Sequence, residues 1–164
     1  MQWWCPGWEC HHCISFFSQP SPDNMGLRRK SREITLQFLF GHDFQERSCE
    51  SDALQIELEE FCDCFDAGRK ALPYARRLIL GICEHLEDID SLISSRSHNW
   101  RVERMSLVDR NILRIAAFEM QHVEDAPATV AINEALEIAK RYAEPDSVGF
   151  INGILDGMQQ KAKK

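Results

Sequence analysis

From Leu27 onward apolar residues recur every three or four positions, and no sustained alternation of apolar and polar residues marks a strand. The first periodic segment, about 27–46, sets Ile34, Phe38 and Leu39 on an inward face, with Gly41, His42 and Asp43 at a fraying end. A second, about 52–66, carries Leu54, Leu58, Phe61 and Phe65 until Gly68 breaks the pattern. Pro73 suits the first turn of a third helix, where its missing N–H costs nothing. Leu78, Ile82, Leu86, Ile89 and Ile93 then continue one stripe without a break. Residues 94–99 form a polar connector, and Trp100 is placed to anchor the next helix.

The fourth segment runs from about Leu107 to Met120, with Val108, Ile112, Ile115 and Ala116 on one face. Pro127 opens a fifth, containing Val130, Ala131, Ala135, Leu136 and Ile138. Pro145-Asp146-Ser147 is a start signal for a sixth, because Asp or Ser accepts from the free N–H groups of a first turn. Val148, Ile151, Leu155 and Met158 form its stripe. Short links without a fixed-period repeat predict an all-α fold, a compact bundle of about six to seven helices. Its two three-helix subdomains, divided at the 94–99 connector, would share one core.

The chain has 164 residues, of which 44% are hydrophobic and 27% charged, the balance of one soluble globular domain. No run approaches the roughly 20 apolar residues that cross a bilayer, so no membrane association is expected. A formal net charge of -7 argues against coating long duplex DNA but permits a small, local nucleic-acid contact. Against that acidic total, Arg28, Arg29, Lys30 and Arg32 crowd the start of the first helix. A solvated helix end accounts for them poorly, since the first turn is the unfavourable end of the helix dipole for cations. Arg presents a planar fork of donors that suits phosphate oxygens, so the cluster reads as an RNA or DNA footprint.

Residues 1–24 differ from everything after them. Trp3, Trp4 and Trp8 fall here with Pro6, Pro20 and Pro22, and Lys and Arg are absent. The segment lacks the charged start and continuous apolar stretch of a signal peptide. The expectation is a disordered extension, or an upstream start misassigned to a protein beginning at Met25, with residues 25–164 as the folded domain. Cys5, Cys10, His11, His12 and Cys13 offer zinc-type donors, but no second Cys-x-x-Cys follows to complete a paired knuckle. Seven cysteines without a secretion signal point to reduced thiols in a cytosol. Cys62 and Cys64 point to different helix faces, and the thiols as a group are read as buried or incidental. No metal site or cofactor is expected.

Catalytic constellations are missing. The chain has no glycine-rich phosphate loop and no Gly-x-Ser-x-Gly, and no serine, histidine and acid fall in a recognisable context. Glu119 and His122 have the Glu-x-x-His spacing of carboxylate-bridged di-metal bundles, but no second pair exists to face them. Glu57, Glu59, Glu60, Glu84, Glu87, Asp88 and Asp90 fall mainly opposite the apolar stripes, as a solvated acidic face would.

Three segments in order carry a resemblance. They are Arg28-Arg29-Lys30-Ser31-Arg32-Glu33 leading to Gln37-Phe38-Leu39-Phe40, then Val108-Asp109-Arg110-Asn111-Ile112-Leu113-Arg114-Ile115-Ala116 with Phe118-Glu119, and a third. The third is Val130-Ala131-Ile132-Asn133-Glu134-Ala135, followed by Ala139-Lys140, Asp146-Ser147 and Phe150-Ile151-Asn152-Gly153-Ile154-Leu155-Asp156. In this order the body from about Leu27 to Asp156 resembles the NusB family of bacterial transcription antitermination factors. The resemblance implies an all-α fold of two three-helix subdomains and a non-enzymatic role in the cytoplasm. That role is binding the single-stranded boxA element of ribosomal RNA leaders with ribosomal protein NusE, within an RNA polymerase complex containing other Nus factors.

It further implies RNA contact by Arg28, Arg29, Lys30, Arg32 and Gln37, and NusE contact by Phe40, Asp109, Asp146 and Phe150. Single-stranded RNA also favours aromatic stacking, for which Phe150, near Lys140 and Arg141, is a candidate. Two departures bear on it. Phe40 stands where the family commonly has tyrosine, and Gly149 where a basic residue can occur. The alternatives are a stand-alone RNA-recognition module acting in ribosomal RNA maturation, or a self-associating helical protein, since some family members form homodimers.

Overall fold

The computed structural model describes residues 26–47, 49, 51–64, 69–97 and 101–162, and the tail, Phe65, Gly68 and Trp100 lie outside the described residues. The described residues contain seven α-helices: α1 (Leu27–Phe44), α2 (Ser51–Asp63), α3 (Leu72–Glu84), α4 (Leu86–Ser94), α5 (Leu107–His122), α6 (Ala128–Tyr142) and α7 (Ser147–Ala162). A single 3-10 turn, Val102–Arg104, joins α4 to α5, and no strand occurs among the described residues. None of these helices is long and apolar enough to cross a membrane.

Local chemistry sets the starts. Ser106 caps α5, its hydroxyl accepting from the Asp109 N–H at 3.0 Å. Pro127 precedes α6, and its carbonyl takes the N–H groups of Val130 and Ala131. Pro73 lies in the first turn of α3, as its lack of an N–H favours.

Helix α5 is the centre of the molecule. Residues Asn111 to Glu119 are buried without interruption, which requires neighbours on every side. Those neighbours are α1, α3 and α4 from the first half and α6 and α7 from the second. Each half thus closes on the same helix, and the two share one core. Helix α2 adds Leu54, Leu58 and Phe61, with the Phe61 ring edge-on to Phe38 at 5.3 Å between centroids. Burying a side chain of this kind contributes about 1.5–3 kcal/mol.

Two expectations are corrected. The single helix expected from Pro73 through Ile93 bends at His85, whose φ of -109° and ψ of 23° separate α3 from α4. The hydrogen-bond ladder barely lapses: His85 N–H reaches the Gly81 carbonyl at 3.1 Å, and its own carbonyl accepts from Ile89 at 2.9 Å. Packing against α5 supplies the reason. The His85 ring stacks on His122 at 4.3 Å, and a Cβ on Gly81 would lie 2.1 Å from Phe118 Cζ. Only a glycine admits the Phe118 ring so close to the α3 backbone.

The acidic face is also incomplete. Glu57 is buried, and Asp90 is drawn into an ion pair with Arg114.

Candidate nucleic-acid interface

The first turn of α1 has no side-chain cap and no acidic residue, and Arg29 and Lys30 N–H groups both turn to the Gly26 carbonyl. Cations at this end are held by carboxylates from other helices instead. Arg28 pairs with Asp125 in the link before α6, donates to the Asp125 carbonyl at 3.0 Å, and lies over the Tyr74 ring at 5.2 Å. Arg29 grips Glu134 of α6 with two donors, Nε at 2.8 Å and Nη2 at 2.6 Å. The hydrogen bond to Asp125 holds Arg28 above the ordinary arginine range, and the one to Glu134 does the same for Arg29. In return Arg29 pulls the Glu134 carboxyl below its usual range despite partial burial. Lys30 is half-exposed, with Glu33 4.0 Å away.

Arg32 separates from its sequence neighbours. It is only 2% exposed, and its Nε lies 3.0 and 2.9 Å from the two carboxylate oxygens of Glu119. Its Nη1 reaches Glu134 at 3.3 Å. Tyr74 completes the cluster by donating to Glu119 at 2.5 Å, and burial followed by that carboxylate drives its phenol pKa upward. Arg32 therefore stands beneath the surface, bracing α1 against α5 and α6. Glu33 is buried beside it and accepts from Arg141 of α6 at 3.0 Å.

Arg28, Arg29, Lys30, Arg32, Arg77 and Arg141 face Asp125, Glu134, Glu33 and Glu119 across this region, six cations against four anions. The excess is positive on a protein whose formal charge is -7.

Phe40 lies at the other end of α1, about 16 Å from Arg29 at 1.5 Å per residue. Its ring stacks on Phe44 at 6.3 Å with planes 8° apart, and Phe44 is 70% exposed. A second ion cluster joins this end of α1 to the start of α5. Asp43 Oδ2 accepts from Arg110 at 3.0 Å, Asn111 at 3.0 Å and Arg114 at 2.9 Å, and Arg114 also grips Asp90 at 2.8 and 2.7 Å. Asp109 then links α5 to α7, its Oδ2 accepting from the Ser147 hydroxyl at 2.9 Å. Asp109 is nearly buried, whereas Asp146 is exposed and Phe150 is partly buried against the core.

Fold and ion pairs thus bring the candidates together in two groups. Arg28, Arg29 and Lys30 gather at the start of α1, while Phe40, Asp109 and Asp146 gather where the end of α1 meets the starts of α5 and α7. Gln37 is half-buried between them. The sequence reading missed the anionic side of the first group, Glu119, Glu134 and Asp125. Their signal was weak, because acidic residues two helices away look like any solvated face. Arg32 did carry one: with Leu36 and Leu39 it continues the inward stripe of α1 at i, i+4 and i+7.

The molecule is a small all-α bundle that displays arginines on a surface turn braced by a buried Arg–Glu pair. Residues 29–160 match the model of the NusB family, and the chain belongs to that family. A relative from Desulfotalea psychrophila, named transcription antitermination protein NusB, is 43% identical over 141 residues, covering 85% of this chain and all of its own. The protein of that name from Desulforamulus reducens is 45% identical over 128 residues, 78% of this chain and 86% of its own. NusB of T. maritima superposes with a TM-score of 0.69 at 41% identity, covering 87% of this chain and 93% of that one. A chain from a crystal structure of antitermination factors NusB and NusE in complex with dsRNA shares the fold, with a TM-score of 0.68 at 22% identity over 82% of this chain and 97% of its own.

Proposed function

We propose that this protein is a non-catalytic, cytoplasmic RNA-binding adaptor of transcription antitermination, which binds boxA-type single-stranded RNA of ribosomal RNA leaders jointly with ribosomal protein NusE. The observation that carries this reading is the first turn of α1, where Arg28, Arg29 and Lys30 stand at the surface above the buried Arg32–Glu119 pair. Membership of a family whose relatives are named antitermination proteins supports it.

Arg28, Arg29 and Lys30 serve as phosphate ligands. Their carboxylate partners fix the side chains in place, and the guanidinium forks keep donors to spare. Arg32 acts from below, by fixing the helix that presents the other three. A few phosphate contacts give weak binding with little selectivity, because they position a chain without reading its bases. Selectivity therefore needs a second surface, which NusE supplies when it docks on Phe40, Asp146 and Phe150. Asp109 holds the start of α7 in place for that contact, and the exposed Phe44 beside Phe40 extends the apolar part of the face.

Titration with boxA-like and scrambled RNA over a salt series, with and without NusE, tests the proposal. The expected result is tighter binding of boxA-like RNA when NusE is present. Each neutralised phosphate ligand lowers the slope of log K against log salt by about 0.7 for a single strand. R28A and K30A should each reduce the slope by about that amount. A slope unchanged in the R28A/K30A double variant would remove the basic turn from the RNA surface. A stable homodimer unaffected by NusE would favour self-association instead.

A further inference from the structure

We infer that His42, Cys49 and Cys83 form a binding site for a zinc-class divalent cation, one that neither the RNA surface nor the partner face uses. The three residues come from separate places: the last turn of α1, the link between α1 and α2, and the end of α3. Their ligand atoms all lie within 4.8 Å of one another. His42 is 3% exposed and Cys83 9%, so the donors converge inside the protein beside the Phe38 ring.

The geometry fits a tetrahedral ion. Cys49 Sγ lies 3.5 Å from His42 Nε2. Bonds of about 2.3 Å to sulfur and 2.0–2.1 Å to nitrogen, at the tetrahedral angle, place such a pair about 3.5 Å apart. The imidazole is already oriented for the task. Its Nδ1 lies 3.0 Å from Glu57 Oε2, a carboxylate that can only accept, so Nδ1 carries the proton and Nε2 turns towards the thiols. A histidine that ligates a metal is generally fixed in this way by a carboxylate on its other nitrogen. Arg47 steadies that carboxylate from the far side, 3.2 Å from Glu57 Oε1.

Charge decides which ion belongs. Two thiolates with one dication are neutral, so the centre can be buried without stranding a charge. The charges of Arg47 and Arg114 are already met by Glu57 and by Asp43 and Asp90 respectively. Two sulfurs and an imidazole are soft to borderline donors that select zinc over magnesium or calcium. Three protein ligands leave the fourth tetrahedral position to water. Bound there, the ion ties the α1–α2 link to α3.

The test uses the full chain, reduced and stripped of metal, titrated with Co2+ and then with Zn2+. The expected result is one Co2+ per chain with thiolate-to-cobalt charge transfer and intense tetrahedral ligand-field bands, all abolished when Zn2+ displaces it. C49S/C83S should lose the signal, E57Q should bind about 10–100-fold more weakly, and C10S/C13S in the tail should bind normally. A signal that survives C49S/C83S but vanishes in C10S/C13S assigns the metal to the tail and overturns the inference. So does the absence of any tetrahedral thiolate spectrum. X-ray absorption on the zinc-loaded unmodified chain keeps the outcome decisive even when C49S/C83S fails to fold. Two sulfurs and one imidazole are expected, and a sulfur-free or four-sulfur shell refutes the site.

Discussion

Arg32 and Glu119 meet across the middle of the molecule, with the guanidinium Nε 2.9 and 3.0 Å from the two carboxylate oxygens and both side chains almost wholly buried. The pair joins α1 to α5, and Glu134 and Tyr74 close it on either side. Its removal is expensive because either partner alone is a charge without water.

R32A and E119A should therefore each destabilise the fold by about 3–5 kcal/mol, read as a lower denaturant midpoint at an unchanged slope. The R32M/E119L double variant should recover much of that loss, since it strands no charge. A role in support, not in RNA contact, also requires that a folded R32M/E119L protein keep the salt slope of the unmodified chain. A lower slope would return Arg32 to the phosphate ligands.

Gly81 and Phe118 meet where α3 crosses close to α5. A methyl group at Gly81 would overlap the ring, and Phe118 is too buried to swing clear. G81A should cost about 1–3 kcal/mol from overpacking, even though alanine is the better helix former by about 1 kcal/mol. G81A/F118L should restore part of it. Chemical denaturation of the four members of that cycle measures the coupling.

Asp109 and Ser147 fasten the start of α5 to the start of α7. If Asp109 works by placing α7, S147A and D109N should weaken NusE binding together, by calorimetry. If Asp109 touches the partner itself, D109N alone should do so. D109A should also cost stability, about 1–3 kcal/mol, because it strands the Ser147 hydroxyl, while the Ser106 cap, made to the backbone N–H of residue 109, is kept.

The Arg29–Glu134 hydrogen bonds hold the Glu134 carboxyl below its ordinary range. A depressed folded-state pKa stabilises the fold above the unfolded value, near pH 4.3, and the contribution disappears as pH falls through the folded value. Melting temperatures of the unmodified protein and E134Q should accordingly differ most at neutral pH and converge in acid. A gap constant with pH would show that the carboxylate charge adds nothing at this site.

Most helices were legible because their signals are local. A stripe at three- and four-residue spacing needs only its own neighbours, and Pro73 and Pro127 mark helix starts by the local conformation a proline allows. The basic cluster was visible for the same reason. The bend at His85 was not, because the stripe from Leu78 to Ile93 runs on unbroken, and the cause lies on α5 at Phe118 and His122.

By itself, then, the sequence determined an all-α fold, the places where every helix but α4 begins, and an arginine-rich first turn on an acidic chain. Tertiary structure decided which of those charges reach solvent. Arg32 and Arg28 are the same residue type four positions apart, yet one meets Glu119 in the core and the other pairs with Asp125 at the surface. It also decided that His42, Cys49 and Cys83, scattered over 42 positions, converge on one another. The physical reason is range: helix periodicity is set by contacts three or four residues apart, whereas desolvation and ligand geometry depend on residues that only the packed helices bring within a few ångströms.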